Sequence, residues 1–394
     1  LGRVKKKDRP HVRARRSKTA MAKTITAIKS LLGDLPQMQL EKNDDIDLLT
    51  SSYLYDLPPE LIANRPAEKR DGSRLLVMRS GIPIEHRFFS DLPTYLMPGD
   101  CLVLNDTRVI PARIFGRRDQ TGARLEFLLL RRIEGNIWKT LVKPARRARK
   151  GERVIFSDGG PECLILNVEP DGTRIVEFFP DGDFYAWLER VGEMPTPPYI
   201  KEKLEEPERY QTVYAREQGS AAAPTAGLHF TEELLREIEA KGIKIARLTL
   251  HVGLGTFRPV KEELITDHKM HEEWYVLNEG AARKISETKD AGGRVIAVGT
   301  TSCRVLESVA IAQGYGDNDV PLKPMTGETD LFIYPGFKFR VVDALITNFH
   351  LPGSTLLMLV AALMGRETTL CAYREAVEER YRFFSFGDAM LLLP

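Results

Sequence analysis

The chain has 394 residues, 43% of them hydrophobic and 28% charged, which leaves room for more than one domain and for a substantial core. No uninterrupted apolar run approaches the roughly 20 residues of a membrane helix. The four cysteines lie far apart without a C-x-x-C pair, arguing against a disulfide framework or zinc ribbon and fitting a reducing, cytoplasmic setting.

The formal net charge of +2 hides an asymmetry: positions 1–20 hold nine basic residues against one acid, so the remainder is mildly acidic. Residues 1–52 have weak hydrophobic periodicity and read as a disordered basic extension, with Met21 an alternative start inside it. Its composition is that of a dispensable tail, a transit peptide or an arm touching nucleic acid. Folded structure is expected from Tyr53, with strand-length apolar runs at Arg74–Met78 and Asp100–Leu104. The second run leads into Asn105-Asp106-Thr107, which suits an Asx turn or a cap.

From Ala112 the pattern changes. Short alternating runs recur at Arg113–Gly116, Arg124–Leu130, Ile137–Val142, Arg153–Phe156, Cys163–Val168 and Arg174–Phe179, separated by turn signals such as Glu134-Gly135-Asn136. This spacing predicts an all-β barrel domain, residues 112–207 with a Pro-rich return linker, inserted in an α/β domain of residues 53–111 and 208–394. Its loop Lys143–Lys150 carries five cations and no acid, a pattern shared by solvated loops and phosphate-holding patches.

The run Ser220-Ala221-Ala222-Ala223-Pro224-Thr225-Ala226-Gly227-Leu228-His229-Phe230 is small-residue backbone that can lie close to a ligand. Thr231 then caps a helix running to about Lys241, with Gly242 beyond its end. Strand and helix alternate from there. Ile243–Val252 runs into Gly253-Leu254-Gly255-Thr256-Phe257. Glu279–Ala291 is an amphipathic helix. Arg294–Val298 is a strand followed by Gly299-Thr300-Thr301-Ser302 and a helix over Cys303–Gln313. Val341–Ile346 precedes Thr347-Asn348-Phe349-His350 and a helix from Ser354. Polar residues gather where strands hand over to helices, the edge at which active sites assemble in α/β proteins.

The Gly299–Ser302 turn offers backbone N–H groups, hydroxyls and a helix dipole to a carboxylate or phosphate, although N-capping uses the same hydroxyls. The chain lacks a Walker lysine there, and Arg258 breaks a dinucleotide glycine pattern after Gly253 and Gly255. His229, His251, His268, His271 and His350 all fall in the second half. The spacing of His268 and His271 does not match the i, i+4 zinc helix, and no metal is assigned. Glu328 and Asp330, two apart in an extended segment, share one face and suit hydroxyls, a cation or proton transfer, or simply a solvated strand end.

Together, Ser220–Phe230, Leu250–Val260, His268–Tyr275, Gly299–Glu307 (with Arg304), Gly327–Gly336, Ile346–Leu357 and the terminal Phe384–Met390 closely resemble the S-adenosylmethionine:tRNA ribosyltransferase-isomerase family of queuosine biosynthesis. The resemblance covers the chain from about Tyr53 onward. It implies an α/β, barrel-like main domain with an inserted β-barrel. It further implies S-adenosylmethionine consumed as a ribosyl donor, with no metal or redox cofactor. The acceptor would be 7-aminomethyl-7-deazaguanine at the wobble position of a tRNA, and the products epoxyqueuosine-tRNA, adenine and methionine. A monomer without a membrane partner is expected.

That chemistry needs a base for a C5′ proton acidified by the sulfonium, a donor to departing adenine, and alignment of two substrates. The expected assignments are proton handling by His229 or His271 and a methionine carboxylate on Thr300, Thr301 and Ser302. Glu328 and Asp330 would hold ribose hydroxyls or the methionine ammonium, and Phe230 and Phe257 would stack on a base. Two other classes stay open on the residues alone. A metal-dependent barrel hydrolase would bind stoichiometric metal. A non-catalytic RNA-binding protein would lack a small-molecule site.

Overall fold

The computed structural model describes residues 44–156, 160–195, 200, 206–253, 260–316 and 320–394. Most of the basic extension, much of the Pro-rich return linker, and Gly255, Thr256 and Phe257 therefore lie outside the described residues. In chain order the elements are β1 (Arg74–Arg79), β2 (Ile82–Phe88), β3 (Cys101–Asn105) and β4 (Thr107–Val109). Next come β5 (Arg113–Arg118), β6 (Arg124–Glu134), β7 (Ile137–Lys143), β8 (Arg153–Phe156), β9 (Glu162–Val168) and β10 (Arg174–Phe179). Then follow α1 (Phe184–Val191), β11 (Glu217–Ser220), α2 (Glu232–Ala240), β12 (Lys244–Leu250), β13 (Glu273–Leu277) and α3 (Glu279–Asp290). The chain closes with β14 (Val295–Val298), α4 (Gly299–Gln313), β15 (Met325–Thr329), β16 (Ala344–Asn348), α5 (Thr355–Met364), α6 (Arg366–Glu378) and β17 (Ala389–Leu393).

Nine strands form one mixed sheet in the order β15-β13-β12-β3-β14-β16-β17-β1-β2. Its centre is parallel: β12, β3, β14 and β16 run side by side in one direction. Parallel strands must be covered on both faces, so they read as continuous apolar runs, as Val295–Val298 does. Alternate residues divide between two cores. Val103, Leu248, Ala297 and Leu345 pack in one with α3, α4 and α5, whereas Leu102, Leu104, Ile296 and Ile346 pack in the other with Phe89, Phe230 and Leu234 of α2.

The six predicted strands of the central region close into an all-antiparallel barrel, β10-β7-β6-β5-β8-β9. Inward residues such as Ile114, Phe127, Trp138, Phe156 and Val176 fill it, and Phe184, Trp187 and Leu188 of α1 pack onto that core. The helix α1 was not expected inside an all-β stretch. Asp183 starts it by accepting from the amides of Tyr185 and Ala186, and aromatic residues at helical spacing hold it on the barrel. The α/β class with an antiparallel barrel is thus as expected.

Two boundaries differ. The fold already includes Thr50, whose amide donates to Glu263 O at 2.9 Å, ahead of the expected Tyr53. The helix expected from Cys303 instead begins at Gly299, so Thr300–Ser302 form its first turn rather than a preceding loop. Among the described residues no single helix is long and apolar enough to cross a membrane.

Candidate active site at the parallel strand ends

The four parallel strands end at one edge of the sheet, at Asn105, Leu250, Val298 and Asn348. There Pro224, Thr225, Thr300, Thr301, Asn348 and His350 line one cleft, so that three of the expected motifs, far apart in the chain, meet at one place. Helix α4 springs directly from β14, and no side chain of its N-cap residue, Val298, bonds to its first turn. Its first amides are therefore presented at the cleft beside the Thr300 and Thr301 hydroxyls, the arrangement that favours an anion. Asn105, absent from the expected set, braces this end: its Nδ2 donates to Leu250 O (3.0 Å) and Thr301 Oγ1 (3.3 Å), and its Oδ1 accepts from the Leu250 and Thr107 amides. The Asx turn at Asn105–Thr107 was the sequence signal for it.

Asn348, in the cleft wall, is held from behind. Its Oδ1 accepts from Thr225 Oγ1 at 3.1 Å, and its Nδ2 donates to Phe384 O at 3.2 Å and to His229 Nε2 at 3.1 Å. With Nε2 accepting, the other ring nitrogen carries the proton and donates to Ser73 Oγ at 2.7 Å. The ring also stacks on Phe89 at 5.0 Å. Burial, with Arg382 and Arg70 adding, pushes the His229 pKa down to about 3, so the imidazole is neutral. His229 is thus fully engaged on both nitrogens. His350 is likewise neutral, pushed down to about 3 by burial, with Nε2 2.9 Å from Thr347 Oγ1.

Other expected residues support the edge from outside the cleft. Ser220 is buried; its hydroxyl donates to Ala222 O (2.7 Å) and accepts from the Val252 amide (2.9 Å), tying the small-residue run to the end of β12. Gly227 leaves room for the Tyr214 hydroxyl, which would lie 2.1 Å from an added Cβ. Arg304 is buried against Glu273 and donates to Leu331 O (2.9 Å) and Thr329 O (3.2 Å). Glu273 in turn accepts from the Gly253 amide at 2.9 Å, so this ion pair anchors the loop after β12. The Ser302 hydroxyl bonds back to Val298 O at 2.8 Å, as helical serines do, and is turned from the cleft.

Some expectations place differently. Phe230 is fully buried in the core, edge-on to the Phe89 ring on which His229 stacks, and has no face for a base. His271, Glu328 and Asp330 are exposed and do not line the cleft. Glu328 instead forms an ion pair with Arg131 of the barrel.

His251 was weighed from sequence only as a metal ligand, yet its setting is distinctive. It directly follows β12, next to the cleft-lining Val252 and the Gly253 loop. Its ring stacks on Trp274 at 4.9 Å, and Nδ1 lies 2.8 Å from Thr107 Oγ1. The Thr107 hydroxyl also reaches Glu217 O at 3.5 Å, and with the hydroxyl donating there Nδ1 is the donor to it and Nε2 carries the lone pair. No bond to Nε2 is formed among the described residues. Burial pushes its pKa down to about 4, so it too is neutral. Trp274 pairs in register with Glu328, and the His251 amide donates to Trp274 O at 3.0 Å, so His251, just past β12, forms one row with Trp274 of β13 and Glu328 of β15.

Residues 50–392 match the family described as queuosine biosynthesis protein. The S-adenosylmethionine:tRNA ribosyltransferase-isomerase of Symbiobacterium thermophilum is 59% identical over 344 residues, 87% of this chain and 99% of its own length. That of Acetivibrio thermocellus is 57% identical over 343 residues, with the same coverage. The crystal structure of the S-adenosylmethionine tRNA ribosyltransferase from Thermotoga maritima is similar with a TM-score of 0.50 and 43% identity, covering 87% of this chain and 100% of that one. The chain belongs to the S-adenosylmethionine:tRNA ribosyltransferase-isomerase family of queuosine biosynthesis.

Proposed function

We propose that the chain transfers and isomerises the ribosyl moiety of S-adenosylmethionine onto 7-aminomethyl-7-deazaguanine at the tRNA wobble position. The products are epoxyqueuosine-tRNA, adenine and methionine. The observation that carries this reading is the cleft at the parallel strand ends, set within a chain that matches ribosyltransferase-isomerases over 99% of their length. The α4 N-terminus with Thr300 and Thr301 receives the methionine carboxylate. The amide and hydroxyl of Asn348 and Thr225, fixed by His229, orient the ribose or the departing adenine.

His251 takes the proton. A base must be neutral, held in place and free at one nitrogen; His251 meets these conditions, whereas both nitrogens of His229 are engaged. Its Nε2 removes a C5′ proton, the electron pair staying on carbon beside the sulfonium. Adenine then leaves with the proton that His251 took up, the acceptor amine loses a proton to solvent as it bonds to the ribose-derived fragment, and methionine departs as a neutral thioether when the epoxide closes. The overall change is redox-neutral and the sulfonium is its own activating group, so neither a redox cofactor nor a metal is called for. We further place the enzyme in the cytoplasm as a monomer, meeting tRNA directly.

The test is a reaction of the purified chain with S-adenosylmethionine and tRNA bearing the aminomethyl-deazaguanine, followed by mass spectrometry. Adenine, methionine and an epoxide-bearing nucleoside in equal amounts are expected. Bound tRNA without product would reduce the protein to a binding module.

A further inference from the structure

The barrel strand β7 ends in Lys143, and the loop that follows carries Arg146, Arg147, Arg149 and Lys150 before β8 begins. All five cations are exposed. None forms an ion pair with an acid among the described residues, although acids lie close in the ladder and sequence. Those acids have other partners: Glu126, opposite Lys143, is paired with Arg113 at 3.4 Å, and Glu152 with Arg118. Lys139, four residues earlier on β7, has Asp171 at 3.1 Å. Among the described residues, then, the charge of this loop stays uncompensated.

It is also held in shape from beneath. Arg174 is 6% exposed, and its guanidinium donates to Ala148 O (3.1 Å), Ala145 O (2.7 Å) and Gly172 O. One buried cation thus ties down both ends of the short turn Ala145–Arg147, and Ala148 is packed into the barrel core. A merely solvated loop needs no such anchor, since its backbone carbonyls are satisfied by water. Confining like charges costs repulsion that an anionic partner relieves.

Position narrows the partner. Arg131 on β6 reaches Glu328 in the row that starts at His251 and lies opposite Lys139 on β7. From Lys139 to Lys143 is roughly 13 Å along the strand, at about 3.3 Å per residue. The loop therefore lies about 13 Å of strand beyond Lys139, whose ladder neighbour Arg131 touches the row that starts at His251. No aromatic residue interleaves the cations, which suits phosphates rather than unstacked bases.

We propose that Lys143–Lys150, shaped by Arg174, is the surface that grips the phosphate backbone of the tRNA while its wobble base enters the site. This rests on the proposed function for the identity of the RNA. The test measures tRNA binding by full-length wild type and by the triple variant Arg146→Ala, Arg147→Ala, Arg149→Ala across a salt series, with S-adenosylmethionine binding and turnover alongside. Each phosphate that the variant no longer neutralises should lower the slope of log K against log salt by roughly 0.7–0.9. The expected result is a slope reduced by about two, a Kd for tRNA weakened at least tenfold at about 0.15 M salt, and unchanged S-adenosylmethionine affinity and melting temperature.

An unchanged tRNA Kd and slope in a folded triple variant would overturn the proposal while leaving the function intact wherever the wild type turns over. A wild type that binds tRNA through this loop but makes no product would instead overturn the function and leave the surface. Arg174→Met gives a second reading, because it keeps all five surface charges and frees their backbone. Weaker tRNA binding with the salt slope retained is expected, and an unchanged Kd would remove the claim that the loop must be shaped.

Discussion

Asn348 Nδ2 donates to His229 Nε2 across 3.1 Å, and this bond decides what the histidine can do. A ring with one nitrogen accepting from a buried amide and the other donating to Ser73 has no lone pair or proton to offer a substrate. Protonation would place an N–H against the amide donor, and burial, with Arg382 and Arg70 adding, pushes the ring's pKa down to about 3. The unfolded chain takes up a proton at the ordinary value near 6.5, whereas the folded chain does not until about 3. Stability from His229 is therefore full above about pH 6.5 and is lost as pH falls toward 3. The loss is about 1.4 kcal/mol per pH unit within that window. Urea unfolding between pH 6 and 4.5 should give a ΔG that falls less steeply in His229→Gln than in wild type, by roughly that slope. Equal slopes would mean that the native ring is charged.

His251→Gln tests the proton acceptor. General-base removal lowers turnover by about 10²- to 10⁴-fold. Affinity for S-adenosylmethionine, read by calorimetry, should stay within about twofold. Wild type should also wash deuterium from water into C5′ of S-adenosylmethionine when the acceptor is bound, and His251→Gln should not. Exchange that persists in this variant assigns the base elsewhere.

How far the chain could be read differs by residue. Asn348, His350, Thr225 and Thr300 were legible because strand-end polar motifs depend on local pattern, and the topology of a parallel sheet brings strand ends together. The barrel was legible through its alternating strands. His251 was not, because its orientation comes from Thr107, 144 positions away, and its stack on Trp274. Arg304 looked like a site residue beside the Thr300–Ser302 turn. Its partner Glu273 lies 31 positions away, and only the folded chain shows the pair closing beneath the cleft. Phe230 follows His229 directly, and only the folded chain shows both rings packed on Phe89 in the core.

Gly219→Ala should damage chemistry more than folding. Its φ of +146° is one that L side chains rarely adopt, and an added Cβ would sit 2.6 Å from His251 Nε2. The methyl would displace the ring from Trp274 or break its bond to Thr107. Backbone strain of this kind costs about 1–3 kcal/mol. The expected outcome is a folded protein with a modestly lower melting temperature and a turnover reduced toward that of His251→Gln. Near-normal kcat would show that the ring position does not matter.

Arg304 and Glu273 form a pair whose side chains are each 4% exposed. Removing one member leaves a buried charge without its counter-ion, which costs roughly 3–5 kcal/mol. Arg304→Met and Glu273→Leu should each lower the unfolding free energy by about that amount. The double variant removes both charges together, so its loss should fall short of the two singles added, by at least ~1 kcal/mol. Kinetics should then separate the two partners. Glu273 also holds the Gly253 amide at 2.9 Å, so Glu273→Leu and the double variant both release the loop after β12. Both should raise the KM for S-adenosylmethionine, even where the double variant has regained stability. Full additivity in a double-mutant cycle would mean that the ion pair contributes nothing of its own to the packing beneath the cleft.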